Sequence, residues 1–316
     1  MNNFVFALNI IFPIFILLAI GYLVSHIGWM SKKSLKNLNG FIFRLLLPLM
    51  LFINIYNMDK AAVVSNEAIK TIAAIYLTLI CIASIMALIL NRTTDLKNSQ
   101  KGVIIQAWFR GNTIIYGLPV VLSIYGQSSL DKVNLVIISI VPLINVLAVI
   151  VLQLYRGKSL NFLAMLLSII KNPLIIGTAL GFAFFYLNIK IPGIILKPIT
   201  DLSKTATPMA FIVLGGTLEL SKIGKNLNLI IFSCIGRLIV TPLIALLVLL
   251  AFGVEGVYLG TAVSCLAAPS AVGSFTMASE MDGDADLASL IVVISTVVSV
   301  VSIFFWVLVL KTLNLL

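Results

Sequence analysis

The stretch Trp108-Phe109-Arg110-Gly111-Asn112-Thr113-Ile114-Ile115-Tyr116-Gly117-Leu118-Pro119 decides the fold. It lies inside an apolar run from Gly102 to Tyr125, where a plain membrane-spanning helix would carry only lipid-compatible side chains. Instead it holds a guanidinium, an amide, two glycines and a proline. Pro119 has no N–H and crowds the carbonyl four residues back, so the helix is expected to break or kink near Ile115. In hydrocarbon, freed backbone groups are tolerated only against protein or a wet cavity. A charge at membrane depth costs about 2.5–3.5 kcal/mol on insertion scales, so it faces an interior pathway. The stretch predicts a broken helix lining a polar site.

Composition places that helix among others like it. The chain has 316 residues, is 61% hydrophobic and 10% charged, and has a mean hydropathy of +1.17. A run of about 20 apolar residues crosses the hydrocarbon core, and spans are expected at 4–24, 39–57, 70–90, 102–125, 133–154, 171–188, 198–219, 227–252, 255–279 and 287–310. This is an all-α membrane protein with little outside the lipid bilayer. A net charge of +10 would suggest nucleic acid in a soluble protein. Here the basic residues sit in short connections and report topology, so no nucleic-acid partner is expected. The first run, Phe4 to Val24, lacks a basic leader and is too long for a signal peptide's apolar core, so it is taken as the first span. Cys81, Cys234 and Cys265 all fall in apolar runs without a CxxC pair, which predicts packing residues and no metal site.

The odd-numbered connections hold eleven Lys and Arg, and the even-numbered ones with the C-terminus hold seven, Lys60 among them. The positive-inside rule then makes the odd connections cytoplasmic and puts both termini outside. One connection dissents, with Glu280, Asp282, Asp284 and Asp286 on the inner side. The chain also repeats itself. At a shift of 160 residues Pro13 meets Pro173, Gly21 meets Gly181, Pro48 meets Pro208, and Arg44 meets Lys204; at a shift of 150 Pro119 meets Pro269. Two copies of five spans, residues 1–155 and 156–316, must insert in opposite orientations. Inverted repeats with a broken helix at matching positions point to a transporter site.

The second break is expected in Ser264-Cys265-Leu266-Ala267-Ala268-Pro269-Ser270-Ala271-Val272-Gly273-Ser274-Phe275-Thr276. Where the broken fourth and ninth helices cross, half-helix N-termini suit an anion and freed carbonyls suit a cation. The geometry alone leaves both open. Asn112 offers a donor and an acceptor, to a substrate or to a neighbouring helix. Arg110 is a clamp for a carboxylate or a side chain snorkelling to the interface. Arg44 and Arg237 are expected to snorkel or to form structural pairs, with Glu219 a partner for one of them. Gly177-x-x-x-Gly181 predicts a helix-packing face. No HExxH, P-loop, GxSxG or pair of intramembrane acids is present. The reading excludes an enzyme and calls for no cofactor.

Arg110-Gly-Asn-x4-Gly-x-Pro119, followed by Ala268-Pro-Ser-Ala271, resembles the auxin efflux carrier family, and the resemblance covers the whole chain. It implies ten spans in two inverted five-helix repeats, with helices 4 and 9 crossing at Pro119 and Pro269. It also implies a scaffold from spans 1, 2, 6 and 7, a transport domain from spans 3–5 and 8–10, elevator motion and a homodimer. The family's asparagine falls on Asn112, which would contact a substrate carboxylate, with Gly111, Thr113, Ser270 and Ser274 around it. Arg110 is typical of the bacterial branch, whose members include permeases for malate and related carboxylates. Two positions depart from the family. The connection Arg156–Ser159 is short where plant exporters have a long hydrophilic loop, and Gly273 stands where many relatives carry Asn. The expected activity is export or exchange of small organic anions across the cell membrane. A sodium- or proton-coupled symporter of the bile-acid type, using hydroxyls such as Thr113, Ser270 and Ser274, and an anion channel on the same fold are the alternatives.

Overall fold

The computed structural model describes residues 3–57, 65–126, 129–156 and 162–315. Lys60, Lys158 and Ser159 lie outside the described residues. The described chain is helical: α1 (Asn3–His26), α2 (Lys32–Phe41), α3 (Leu47–Tyr56), α4 (Asn66–Thr93), α5 (Asn98–Phe109), α6 (Leu118–Tyr125), α7 (Leu130–Leu154), α8 (Phe162–Ile170), α9 (Pro173–Tyr186), α10 (Gly193–Thr217), α11 (Ile223–Ile235), α12 (Thr241–Ala251), α13 (Gly256–Leu266), α14 (Val272–Glu280) and α15 (Ala285–Thr312). Among the described residues, five continuous helical segments are long and apolar enough to cross a membrane, Lys32–Tyr56, Asn66–Thr93, Lys132–Leu154, Ile223–Ala251 and Ala285–Thr312.

Among the described residues three π turns occur, at Ile42–Leu46, Thr113–Gly117 and Gly236–Val240, and each ends two residues before a proline, Pro48, Pro119 or Pro242. Proline cannot donate to the helical ladder, so the preceding turn widens and its N–H groups reach one residue further back. Leu47 N–H bonds to Ile42 and Thr241 N–H to Gly236 in this way. The distortion expected near Ile115 is the π turn Thr113–Gly117, and not a full break. The break comes earlier, at Arg110–Asn112. The sixth helical region also begins before residue 171. It starts at Phe162 and is interrupted at Lys171–Asn172, where the Asn172 side chain caps α9 by accepting from Leu174 N–H at 2.9 Å.

The two halves of the chain interleave. Helices α1 and α3 of the first half pack on α10 and α9 of the second, while α4, α5 and α7 pack with α12–α15. Gly177 and Gly181 do form a packing face: a Cβ at either would press within 2.6–2.9 Å of Pro48 or Ile55 on α3.

Lys32 and Lys222 bind Glu219, Lys222 binds Asp286, Arg156 binds Asp282, and Asp284 N–H donates to Ser99. The segments around Lys32, Ser99, Arg156, Glu219–Lys222 and Asp282–Asp286 thus meet on one face. On the other face Ile191 N–H donates to the Tyr56 hydroxyl, the Tyr125 hydroxyl donates to Gly256, and Ser65 bonds Tyr258. Glu280, Asp282 and Asp286 pair with Arg44, Arg156 and Lys222, while Asp284 caps α15 by accepting from Leu287 N–H at 2.9 Å. Glu219 pairs with Lys32 and Lys222 rather than with Arg44 or Arg237.

Candidate functional site

Two interrupted helices meet back to back. α5 ends at Phe109 and α13 at Leu266, and the short extended segments that follow pair as an isolated antiparallel bridge between Gly111 and Ser270. Asn112 N–H donates to Pro269 at 2.7 Å and Ala271 N–H to Arg110 at 3.1 Å. Ser270 N–H donates to the Ser295 hydroxyl of α15 at 3.2 Å. Pro269 sits at this crossing, but Pro119 lies beyond it in α6, so its expected meeting with Pro269 is replaced by Gly111 opposite Ser270. The equivalent positions are then 159 residues apart, close to the shift of the earlier spans and not the shift of 150 that aligned the two prolines.

Four helix ends converge here, two of each polarity. On the side of the C-terminal ends lies Arg237, fully buried in the π turn between α11 and α12. Its Nε donates to Ala268 at 2.7 Å, Nη1 to Phe109 at 3.0 Å and Trp108 at 3.3 Å, and Nη2 to Cys265 at 3.4 Å. Arg237 neither snorkels nor pairs with an acid, contrary to both expectations. Gly111 is what admits it, because a Cβ there would overlap the guanidinium.

Arg110 points the other way. Its side chain is 4% exposed. Nη1 donates to the Ser274 hydroxyl at 3.1 Å and Nη2 to the Asn145 carbonyl oxygen of α7 at 2.8 Å, while Nε has no partner. The guanidinium lies against Gly273 in the first turn of α14, where a Cβ would come within 2.7 Å of Nη2 and 3.0 Å of Nη1. Gly273 and Arg110 thus fit one another: the missing side chain is the space the guanidinium fills. Among the described residues, neither Arg110 nor Arg237 lies within ion-pair distance of a carboxylate.

Around the crossing, buried polar atoms lack partners: Asn112 Nδ2, Ser270 Oγ and Arg110 Nε. Such atoms are uncommon in the interior of a folded chain and mark places where a ligand or water completes the bonding. Thr113 is turned inward and its hydroxyl donates to Gly111 at 3.4 Å, a long bond within its own turn. The structure therefore groups Arg110, Gly111, Asn112, Ser270 and Ser274 at one place and adds Arg237, Asn145 and Ser295. The signal that would have found Arg237 was its position, a lone cation in an otherwise apolar run one turn before a proline.

Two cavities lie toward opposite ends of the segment Lys32–Tyr56. One, of about 250 Å³, is bordered by Asn54, Asn57, Ile114, Asn134 and Pro142. The other, of about 450 Å³, is bordered by Lys36, Asn37, Gly40, Arg44 and Glu280. Between α2 and α14, Asn39 Nδ2 donates to Thr276 at 3.3 Å and to Glu280 at 3.2 Å.

The model of the membrane transport protein family matches residues 6–165 and matches again over residues 158–307. The chain belongs to this family, the auxin efflux carriers. The match falls twice on the chain, once on each half, in keeping with two repeats. An uncharacterized transporter of Methanocaldococcus jannaschii is 24% identical over 309 residues, covering 95% of this chain and 97% of the relative. An uncharacterized transporter of Methanothermobacter thermautotrophicus is 23% identical over 298 residues, covering 94% and 96%. The protein is thus a multi-pass membrane transporter of this family.

Proposed function

We propose that the protein carries small organic anions, mono- or dicarboxylates such as malate, across the cell membrane by alternating access. The observation that carries this reading is Arg110, a buried guanidinium whose hydrogen-bond partners are neutral. A buried charge without a counter-charge is costly, by several kcal/mol even after relaxation, and an anionic substrate would supply one. The charge sum points the same way. Each helix N-terminus carries about half a positive charge, and the segments that begin at Thr113 and Val272 both start beside Arg110. Together with the guanidinium they amount to roughly two positive charges, suited to a dicarboxylate. Arg237 is balanced separately, by the two helix C-termini.

In this reading Asn112, half-buried and with a free amide nitrogen, is the first ligand a carboxylate meets. Arg110 holds it in a bidentate way, with Ser270, Ser274, Thr113 and the Gly111 backbone completing the shell. Spans 1, 2, 6 and 7 form a scaffold and the other spans an elevator that carries the crossing past it, in a homodimer of ten-span protomers with both termini outside. The two cavities at opposite ends of one seam support this division, since each lies between a scaffold helix and a helix of the moving group. An inside-negative potential would drive anion export by about 2.3 kcal/mol per charge per 100 mV.

The test is uptake of labelled malate into proteoliposomes, competed by a panel of organic anions, with and without an imposed potential. Saturable, potential-sensitive uptake is expected, with Asn112→Ala lowering flux at unchanged insertion. Unchanged flux in both Asn112→Ala and Arg110→Gln would sink the assignment.

A further inference from the structure

We propose that Arg237 is a resident cation: its guanidinium occupies the place at the C-terminal ends of both broken helices that a coupling cation would need. Anion transport then proceeds without sodium bound at the crossing. The transport half of this inference rests on the function proposed above; the binding half does not.

The argument begins with the backbone. When α5 and α13 stop, their last carbonyls lose the N–H groups that a continuing helix would supply. In a membrane interior these carbonyls must find other donors or a cation. Each C-terminus carries about half a negative charge, so two of them present roughly one full negative charge to a single point. One monovalent cation balances that charge, and Arg237 is such a cation. It is 0% exposed and reaches carbonyls from both helices, Trp108 and Phe109 of α5 together with Cys265 of α13 and Ala268 just beyond it. The Thr241 hydroxyl, one turn on, donates to Trp108 as well, at 2.8 Å.

The surroundings are shaped for this side chain. The π turn that holds Arg237 precedes Pro242, and the Trp306 indole N–H donates to its Leu238 carbonyl at 2.7 Å, so the turn is tied down at its back. Gly111 leaves room for Nη2, and any side chain there would expel it. Among the described residues no group of three or more His, Cys, Asp and Glu could hold a metal ion. The oxygens a small cation would compete for are the ones Arg237 already engages. A tethered cation differs from a diffusible one in a measurable way, because it cannot leave and so cannot couple its own gradient to the substrate.

The test uses the purified full-length protein. For Arg237→Ala we expect a melting temperature about 5–10 °C below wild type, as for loss of one partner of a buried charge network. Millimolar guanidinium should restore most of that shift, with sodium, lithium and choline at equal ionic strength doing little. The same guanidinium should leave wild type unmoved. A folded Arg237→Ala protein that guanidinium does not stabilise would overturn the proposal. If that variant cannot be purified, wild type still decides: a melting temperature that rises with sodium relative to choline refutes a filled site, and one indifferent to the exchange supports it. In proteoliposomes, wild-type anion uptake should be the same in sodium and in choline. Acceleration by an inward sodium gradient would refute the inference. Absence of uptake for every anion tried would refute the function proposed above and leave the melting experiments to judge Arg237.

Discussion

Replacing Arg110 by Gln separates a functional arginine from a structural one. In the folded protein the guanidinium makes two hydrogen bonds to neutral acceptors, the Ser274 hydroxyl at 3.1 Å and the Asn145 oxygen at 2.8 Å. Bonds involving a charged group contribute about 1.5–3 kcal/mol each. Against them stands the desolvation of a guanidinium that is 4% exposed and has no carboxylate beside it, a penalty of several kcal/mol. The two nearly cancel. Gln keeps part of the bonding and removes the charge, so Arg110→Gln is expected to melt within a few degrees of wild type, and no lower. Transport should respond very differently. Truncating one partner of a desolvated charge pair costs about 2–5 kcal/mol, which at 1.4 kcal/mol per decade is roughly 30-fold to several-thousand-fold in apparent KM for a carboxylate. The assay is concentration-dependent uptake in proteoliposomes beside thermal unfolding of the same preparation. A variant that melts well below wild type yet transports with an unaltered KM would show Arg110 to be a structural tie and refute this reasoning.

Gly273→Asn should push on Arg110, because the Cβ alone would stand 2.7 Å from Nη2; the expected result is weaker selection of dicarboxylates over monocarboxylates in competition uptake, and an unchanged ratio would show that the two positions do not interact. Gly111→Ala places a Cβ on the Arg237 guanidinium, which is held by carbonyls from both helices and cannot swing away; overpacking of this kind costs about 3 kcal/mol or more, so the variant should melt several degrees low, and wild-type stability would contradict the packing described. Outside the membrane, Lys222 and Lys32 hold the Glu219 carboxyl at about 2, below its ordinary 4.5. A lowered acid contributes stability that is present above its unfolded value and lost as pH falls toward the folded one. The melting temperature should therefore fall between about pH 4.5 and 2, less steeply in Glu219→Gln and in high salt; identical acid limbs in both proteins would remove Glu219 from the account.

The apolar runs, the spacing of Pro and Gly, and the lone charges within hydrocarbon-length segments were enough to locate both broken helices, and Arg110, Asn112, Ser270 and Ser274 lie where these meet. Such features act locally. A run of apolar residues long enough to span, or a polar group too costly to leave in lipid, declares itself wherever the rest of the chain goes. What decides the crossing is not local. Pro119 looked like the break because proline disrupts helices, yet a π turn absorbs it, and the chain opens instead at Gly111. That opening is stabilised by Arg237, which arrives from more than a hundred residues away to satisfy the carbonyls the break sets free. Arg44 and Arg237 look alike in sequence, each a single cation shortly before a proline. One lies at the surface, 4.0 Å from Glu280, and the other is fully buried. The sequence by itself determined that this chain crosses a membrane in helices and that two of them must break. Only the tertiary structure decided where they break and which arginine meets the freed carbonyls, because those depend on which backbone groups from distant segments need partners at the same point in space.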